Sequence, residues 1–305
     1  MTLHPSTTSL LPANWVVAAL AAVYFIWGST YLAVAIALES FPPLILSTLW
    51  AMIPGVIFVV AMRFRGVPWP TRRELWSAAA VGAFLIGGVS AFVWAEQHVA
   101  SGVTALMLGT IPLWMALVEW AWGGGRPTGK VWLGLLMGFA GVVVLGAPQL
   151  HLGEAPVPPG CVVLLLTSAI SWAIGSAYAR RAELPDSMPM SIGFQFITGG
   201  VLLAIGAVVA GESVHQVTAR SAVALIYLAI VDSLIGYTAY LWLLQKQSSA
   251  LASTYAFVNP VVALFLGWWL ANEPVTARTL AAAAAIVGAV MMIVLKPAPA
   301  TESSA

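Results

Sequence analysis

The sequence predicts an all-α integral membrane protein of ten transmembrane helices, built as two inverted five-helix repeats with both termini in the cytoplasm. Three observations predict it: a composition that water cannot hold, a steep asymmetry in the placement of Lys and Arg, and an internal repeat. Of 305 residues, 61% are hydrophobic and only 8% are charged, where a soluble domain carries about 25% charged residues. The apolar residues gather in runs of about 20, the length at which a helix crosses a hydrocarbon core of about 30 Å.

Charges and turn residues divide the chain into apolar segments at 15–38, 43–62, 75–96, 100–122, 130–148, 160–180, 188–210, 221–244, 249–271 and 275–295. Pro42 and Pro43 stop the first, and Arg63 and Arg65 the second. Gly123 to Gly125 with Arg126 and Pro127 follow the fourth, while Pro156, Pro158 and Pro159 precede the sixth. Each stop breaks helical backbone or places charge where the chain leaves lipid. The first segment is too long for the core of a signal peptide and no Lys or Arg precedes it, so it reads as a retained helix. The residues before it and the Thr301 to Ala305 tail read as disordered.

Lys and Arg concentrate on the cytoplasmic side of membrane proteins. With the N-terminus inside, the cytoplasmic stretches hold Arg63, Arg65, Arg72, Arg73, Arg126, Lys130, Arg180, Arg181, Lys246 and Lys296, and the outer loops hold only Arg220 and Arg278. That split, ten against two, fixes the expected orientation.

An offset of 147 or 148 residues superimposes several unusual positions, the signature of an internal repeat. Gly28-Ser29-Thr30-Tyr31 in segment 1 meets Gly175-Ser176-Ala177-Tyr178 in segment 6, with Trp27 and Trp172 shortly before each run. Pro112 falls on Pro260, Trp120 on Trp268 and Gly141 on Gly288. The two copies occupy 1–150 and 151–305 and form one transport unit. Each copy has an odd number of spans, so the second crosses in the opposite sense to the first. Secondary transporters share this plan and hold substrate near the midplane between the copies.

Several function classes drop out. A net charge of +1 without a basic stripe argues against a nucleic-acid partner. Cys161 is the only cysteine, so no internal disulfide forms and no metal cluster rests on thiolates. No cofactor and no metal are expected. A membrane-embedded enzyme would need a constellation such as His-Glu-x-x-His or Gly-x-Ser-x-Gly, and the sequence has neither. His4, His151 and His215 fall in loops or the tail. A passive channel would show charge rings or filter loops, and the inverted halves favour alternating access instead. The chain therefore reads as a non-enzymatic, multi-pass protein of a bacterial inner membrane whose partners are a small-molecule substrate and the lipid bilayer, with a monomer favoured.

Asp232 stands about halfway along segment 8, where an ionised carboxylate costs a few kcal/mol. It is a candidate proton site or anchor for a substrate ammonium, and the alternative is a carboxyl that locks helix packing. Glu96 ends segment 3 with Gln97 and His98; it is a second candidate for proton coupling or gating, against a plain solvated helix end. Trp27, Trp50 and Trp172 fall near the midplane instead of the interface, where Trp usually concentrates. With Tyr31, Trp94, Tyr237 and Tyr255 they offer flat faces for an apolar or aromatic solute, and Ser29 and Asn259 offer polar atoms. Pro112 and Pro260 interrupt backbone hydrogen bonding in segments 4 and 9 and are candidate hinges. Gly134, Gly138 and Gly141 with Ala284 and Gly288 form close-packing faces.

Together these residues resemble the EamA family of the drug/metabolite transporter superfamily, and within it the YedA-like and YddG-like permeases. The resemblance rests on Ile26-Trp27-Gly28-Ser29-Thr30-Tyr31, on Ala95-Glu96-Gln97-His98 with Ser101-Gly102, on Ile170-Ser171-Trp172-Ala173 with Gly175-Ser176, and on Ser253 through Asn259-Pro260 to Val262. It implies ten helices, alternating access around a central cavity, and export of amino acids, aromatic ones included, or other small metabolites. Many members carry an arginine early in helix 2, where this chain reads Ser47-Thr48-Leu49-Trp50-Ala51. Many also end helix 4 with Gly-Glu, where this chain has Gly123-Gly124-Gly125-Arg126, and the second half keeps its acid as Glu273.

Overall fold

Helix α1 (Ala13–Leu38) is apolar on every side, and Pro42 and Pro43 then turn the chain into α2 (Pro43–Phe64). Proline suits that position, since the first turn of a helix has no use for its missing N–H. The computed structural model describes residues 13–271 except 100, 152–157 and 215, together with scattered positions between 277 and 289. His4, His215, Glu273, Lys296, the tail and most of segment 10 lie outside the described residues. A capping box between Thr71 and Glu74 opens α3 (Arg72–Ala95). There follow α4 (Ser101–Leu108), α5 (Ile111–Ala121), α6 (Gly129–His151), α7 (Pro159–Ala179) and α8 (Met188–Ala210). The rod Ala219–Lys246 consists of α9 (Ala219–Tyr227), a π-helical stretch Leu228–Tyr237, and α10 (Thr238–Lys246). The short α11 (Ser249–Ala252) and α12 (Tyr255–Ala271) complete the described helices.

Among the described residues, six helices are long and apolar enough to cross a membrane by length and composition. Val163, Val208, Val223 and Phe64 lie exposed on their outer faces, which suits a lipid surround. Segments 4 and 9 depart from the expectation of single rods. Segment 4 breaks at Gly109 and Thr110, so Pro112 sits in the first turn of α5 instead of kinking the middle of a helix. The cause is steric: the proline ring excludes the carbonyl four residues back and disfavours helical backbone before it. Segment 9 breaks at Ser253 and Thr254, while Pro260 lies inside α12.

The freed carbonyls at both breaks find local donors. Thr110 Oγ1 donates to the Met107 carbonyl at 2.7 Å, and Thr254 Oγ1 donates to that of Leu251 at 2.7 Å. Broken helices persist in a membrane only with such satisfaction.

The helix contacts come in pairs that an exchange of the two halves would generate. α3 packs on α7, as the rod Ala219–Lys246 packs on α1. α3 packs on α8, as the rod packs on α2, and α1 packs on α12 as α7 packs on α4 and α5. The remaining large contact, α2 with α8, is its own counterpart. Close approach of α1 and α12 needs Gly28: a Cβ there would sit 2.6 Å from Val262.

Interactions define the two ends of the bundle. At one end Arg73 pairs with Glu183 at 3.0 Å, and Arg180 and Arg181 pair with Glu119. This is the basic end. At the other, the far end, Glu212 accepts from the Leu44 and Ile45 amides at 3.0 and 2.9 Å, and Ser221 Oγ donates to the Ile36 carbonyl at 2.9 Å.

Candidate functional site

A central cavity of about 520 Å³, which includes its open mouth, lies where the two broken segments meet α1, α3, α7 and the π-helical stretch. Trp27, Tyr31, Trp50, Trp172, Tyr255 and Asn259 all line it, as does Asp232. Thr30, Phe92, Leu108, Ile111 and Ser168 line it too. Of these, Thr30 belongs to the same Trp-Gly-Ser-Thr-Tyr run, whereas the apolar residues carried no individual signal in helices that are apolar all round.

The π-helical turn positions the acid. A π-helix bonds i to i+5 and so inserts an extra residue per turn, re-aiming side chains. Asp232 is 5% exposed, and its Oδ1 accepts from Thr30 Oγ1 at 2.5 Å. Beside it, Ser233 Oγ donates to the Leu228 carbonyl at 3.1 Å and accepts from Trp50 Nε1 at 3.0 Å. Gly236 lets Trp27 lie against the same turn, since a Cβ at that position would stand 2.8 Å from Trp27 Nε1.

The basic-end side of the cavity has an aromatic floor. Trp27 packs edge-on against Tyr255 at 4.7 Å and against Trp172 at 5.4 Å between ring centroids. Tyr240 completes the set, 5.0 Å from Trp27 and 5.5 Å from Tyr255. Its hydroxyl accepts from Trp172 Nε1 at 3.1 Å and lies 2.6 Å from Ser176 Oγ. Below this floor Glu119 draws three elements together. Arg181 Nη2 donates to its Oε2 at 2.7 Å, Arg180 Nε lies 3.3 Å from Oε1, and Ser249 Oγ donates to Oε1 at 2.9 Å. Arg180 also donates to the carbonyls of Leu244 and Gln247.

Towards the far end the polar groups have fewer partners. Asn259 and Glu96 both lie close to Tyr31. The Asn259 Oδ1, the Thr104 Oγ1 and both carboxyl oxygens of Glu96 are buried without a hydrogen-bond partner. Glu96 stands just past the end of α3, and burial pushes its carboxyl well above the usual carboxylate range. The expectation of a solvated helix end therefore fails in detail, because its neighbours cover the two oxygens.

The other expected residues lie elsewhere. Trp94 is 41% exposed and packs on His98 at 4.9 Å, so it is not part of the cavity wall. Ser29 bonds with the Tyr227 hydroxyl at 2.6 Å instead of lining the space. Tyr237 faces a smaller adjoining cavity shared with Trp50 and Trp172, and its hydroxyl donates to Gln195 Oε1 at 2.8 Å. Pro112 follows Ile111, and Pro260 follows Asn259, each buried one position beyond a lining residue. Among the described residues no cluster of His, Cys, Asp or Glu could hold a metal.

Residues 14–147 and 160–295 each match the EamA-like transporter family. A relative in Escherichia coli K12, described as the uncharacterized inner membrane transporter YedA, is 36% identical over 281 residues, 91% of this chain and 90% of that protein. The uncharacterized transporter YvbV of Bacillus subtilis is 25% identical over 93% of this chain and 92% of its own length. The protein PecM of Dickeya dadantii is 25% identical over 88% of each. One solved crystal structure aligns with a TM-score of 0.75 over 92% of this chain and 97% of its own, at 22% identity, a likeness of fold alone.

Proposed function

Since the chain belongs to the EamA-like transporter family, we propose that it is a secondary active transporter of the bacterial inner membrane. It exports amino acids with aromatic or neutral side chains, or related small metabolites, by alternating access. The observation that carries this reading is the pair of helix breaks, one in segment 4 and one in segment 9, that meet at one cavity. Interrupted helices in corresponding segments of two halves mark the substrate site of inverted-repeat carriers, although here the two breaks fall about one turn apart in the repeat register.

The cavity gives such a cycle a starting point. The basic end is the cytoplasmic end by the placement of Lys and Arg. There the aromatic floor and the Glu119 lock close the path, so the site addresses the outside in this conformer. Export requires the opposite state, in which the floor parts and substrate enters from the cytoplasm.

Purified protein in lipid vesicles tests the reading directly. Labelled amino acids and amines should enter with saturation and show counterflow when unlabelled solute is preloaded. Flux that rises linearly with concentration in every case would instead describe a pore. Orientation is tested separately by placing single cysteines at Arg65 and Arg181 in a chain whose buried Cys161 is replaced by Ser. An impermeant thiol reagent should reach both from the cytoplasmic side, and labelling from opposite sides would dismiss the inverted arrangement.

A further inference from the structure

The charge balance of the cavity selects among solutes that the carrier reading allows. Among the described residues its lining includes an acid, Asp232, and no Lys, Arg or His. A second acid, Glu96, lies close to Tyr31 on the lining. The described Arg180, Arg181 and Arg73 are engaged at the basic end, and Arg220 pairs with Glu39 at the far end. None of them lines the cavity.

Backbone donors do not compensate. The start of each half-helix after a break is where an anionic group would ordinarily find free N–H groups. At the start of α5, Pro112 has no N–H, and the amides of Leu113 and Trp114 both donate to the Thr110 carbonyl. At the start of α12, Ala256 donates to Ser253, while Phe257 and Val258 donate to Thr254. Among the described residues only the first amide of each half-helix, that of Ile111 or Tyr255, has no backbone acceptor, so neither start offers an anion a set of free N–H groups.

Resting on the carrier reading, we infer that the preferred substrate is a net cation: an amine or quaternary ammonium attached to a flat apolar body, without a free carboxylate. An ammonium finds Asp232 for its charge and the faces of Trp27, Trp172 and Tyr255 for cation–π contact. The apolar body replaces water against Phe92, Leu108 and Ile111. The carboxylate of a zwitterionic amino acid would lie unpaired beside Asp232 in a water-poor space, where an uncompensated charge is costly. Of the solute classes the carrier reading allows, amines and other amine-bearing metabolites are favoured over free amino acids.

One ring carried in three charge states decides this: tryptamine as the cation, L-tryptophan as the zwitterion and indole-3-propionate as the anion. Binding to the purified full-length chain is read by ligand-induced thermal shift. Vesicle flux uses the permanently charged trimethylated tryptamine, which crosses bare lipid slowly. Tryptamine should bind at least about tenfold more tightly than L-tryptophan, a difference well below the cost of one unpaired buried charge, and the anion should not compete. Asp232→Asn should erase the preference for the amine, and Asp232→Glu, which keeps the charge, should retain it.

Equal affinity for amine and zwitterion overturns the inference, as does a preference that survives Asp232→Asn, or absence of binding by all three. If the amine binds selectively but its flux neither saturates nor shows counterflow, the charge inference stands and the carrier reading falls. If L-tryptophan is bound and carried as well as the amine, the carrier reading stands and the charge inference falls.

Discussion

Glu119 and Glu96 flank the cavity on opposite sides, and their surroundings differ in every respect that matters to a carboxylate. Glu119 is held by Arg180, Arg181 and Ser249, from two elements of the second half. Glu96 has no hydrogen-bond partner on either oxygen. The two halves are related by their repeat, yet only one end of the described structure carries this ionic closure. Shifting by 148 lays Ser101 on Ser249, but Leu32 and Ala33 stand where Arg180 and Arg181 would need counterparts. A symmetric scaffold thus carries asymmetric chemistry, and under the proposed alternating access this asymmetry would bias the balance between two states by a few kcal/mol.

Three substitutions break or sharpen that contrast. The largest effect is expected from Glu119→Gln, which removes the charge shared by both arginines. Losing charge-assisted bonds worth about 1.5 to 3 kcal/mol should move the balance of states towards an open basic end by roughly tenfold or more. The check is the labelling rate of a cysteine placed at Ala179, buried at the basic end of α7, by a cytoplasmic thiol reagent. An unchanged rate would mean that the aromatic floor alone holds the end shut.

Tyr240→Phe comes next. It keeps the ring but deprives Trp172 Nε1 and Ser176 Oγ of a common partner, at a cost of about 1 to 2 kcal/mol. The same cysteine should be labelled more quickly, by less than in Glu119→Gln, and the double variant should exceed either. If Tyr240→Phe has the greater effect, the order of floor and lock is reversed.

The smallest effect belongs to Glu96→Gln and appears in pH dependence. Burial raises the Glu96 carboxyl above its ordinary value of 4.5. A raised acid favours the folded state while protonated, so stability should decline as pH climbs from about that ordinary value towards the raised one. Thermal unfolding of the wild type should therefore worsen across this window more than that of Glu96→Gln. Parallel curves for the two proteins would show that Glu96 is ionised and solvated at the far end.

Much of the cavity was legible because lipid makes polar and large aromatic residues conspicuous. Asp232, Asn259, Trp27, Trp50 and Trp172 each stood out at midplane depth, and all line the central space. Trp94 was a candidate beside them, though near the end of segment 3, and it faces away from the cavity. Depth along a helix can be counted from sequence, but which side faces inward cannot be read where every side is apolar. Glu119 lies near the end of segment 4, and the sequence does not reveal its pairing with Arg180 and Arg181, which joins residues far apart in the chain.

The sequence by itself determined the solvent, the apolar segments and the repeat, because hydrophobic length, proline and charge act locally or along one axis. Only the tertiary structure decided that a π-helical turn aims Asp232 at Thr30 and that one end is locked. These depend on which side chains meet across helices. A threonine that meets an acid from another helix, or an arginine that finds its acid, has no counterpart in the order of residues along one chain.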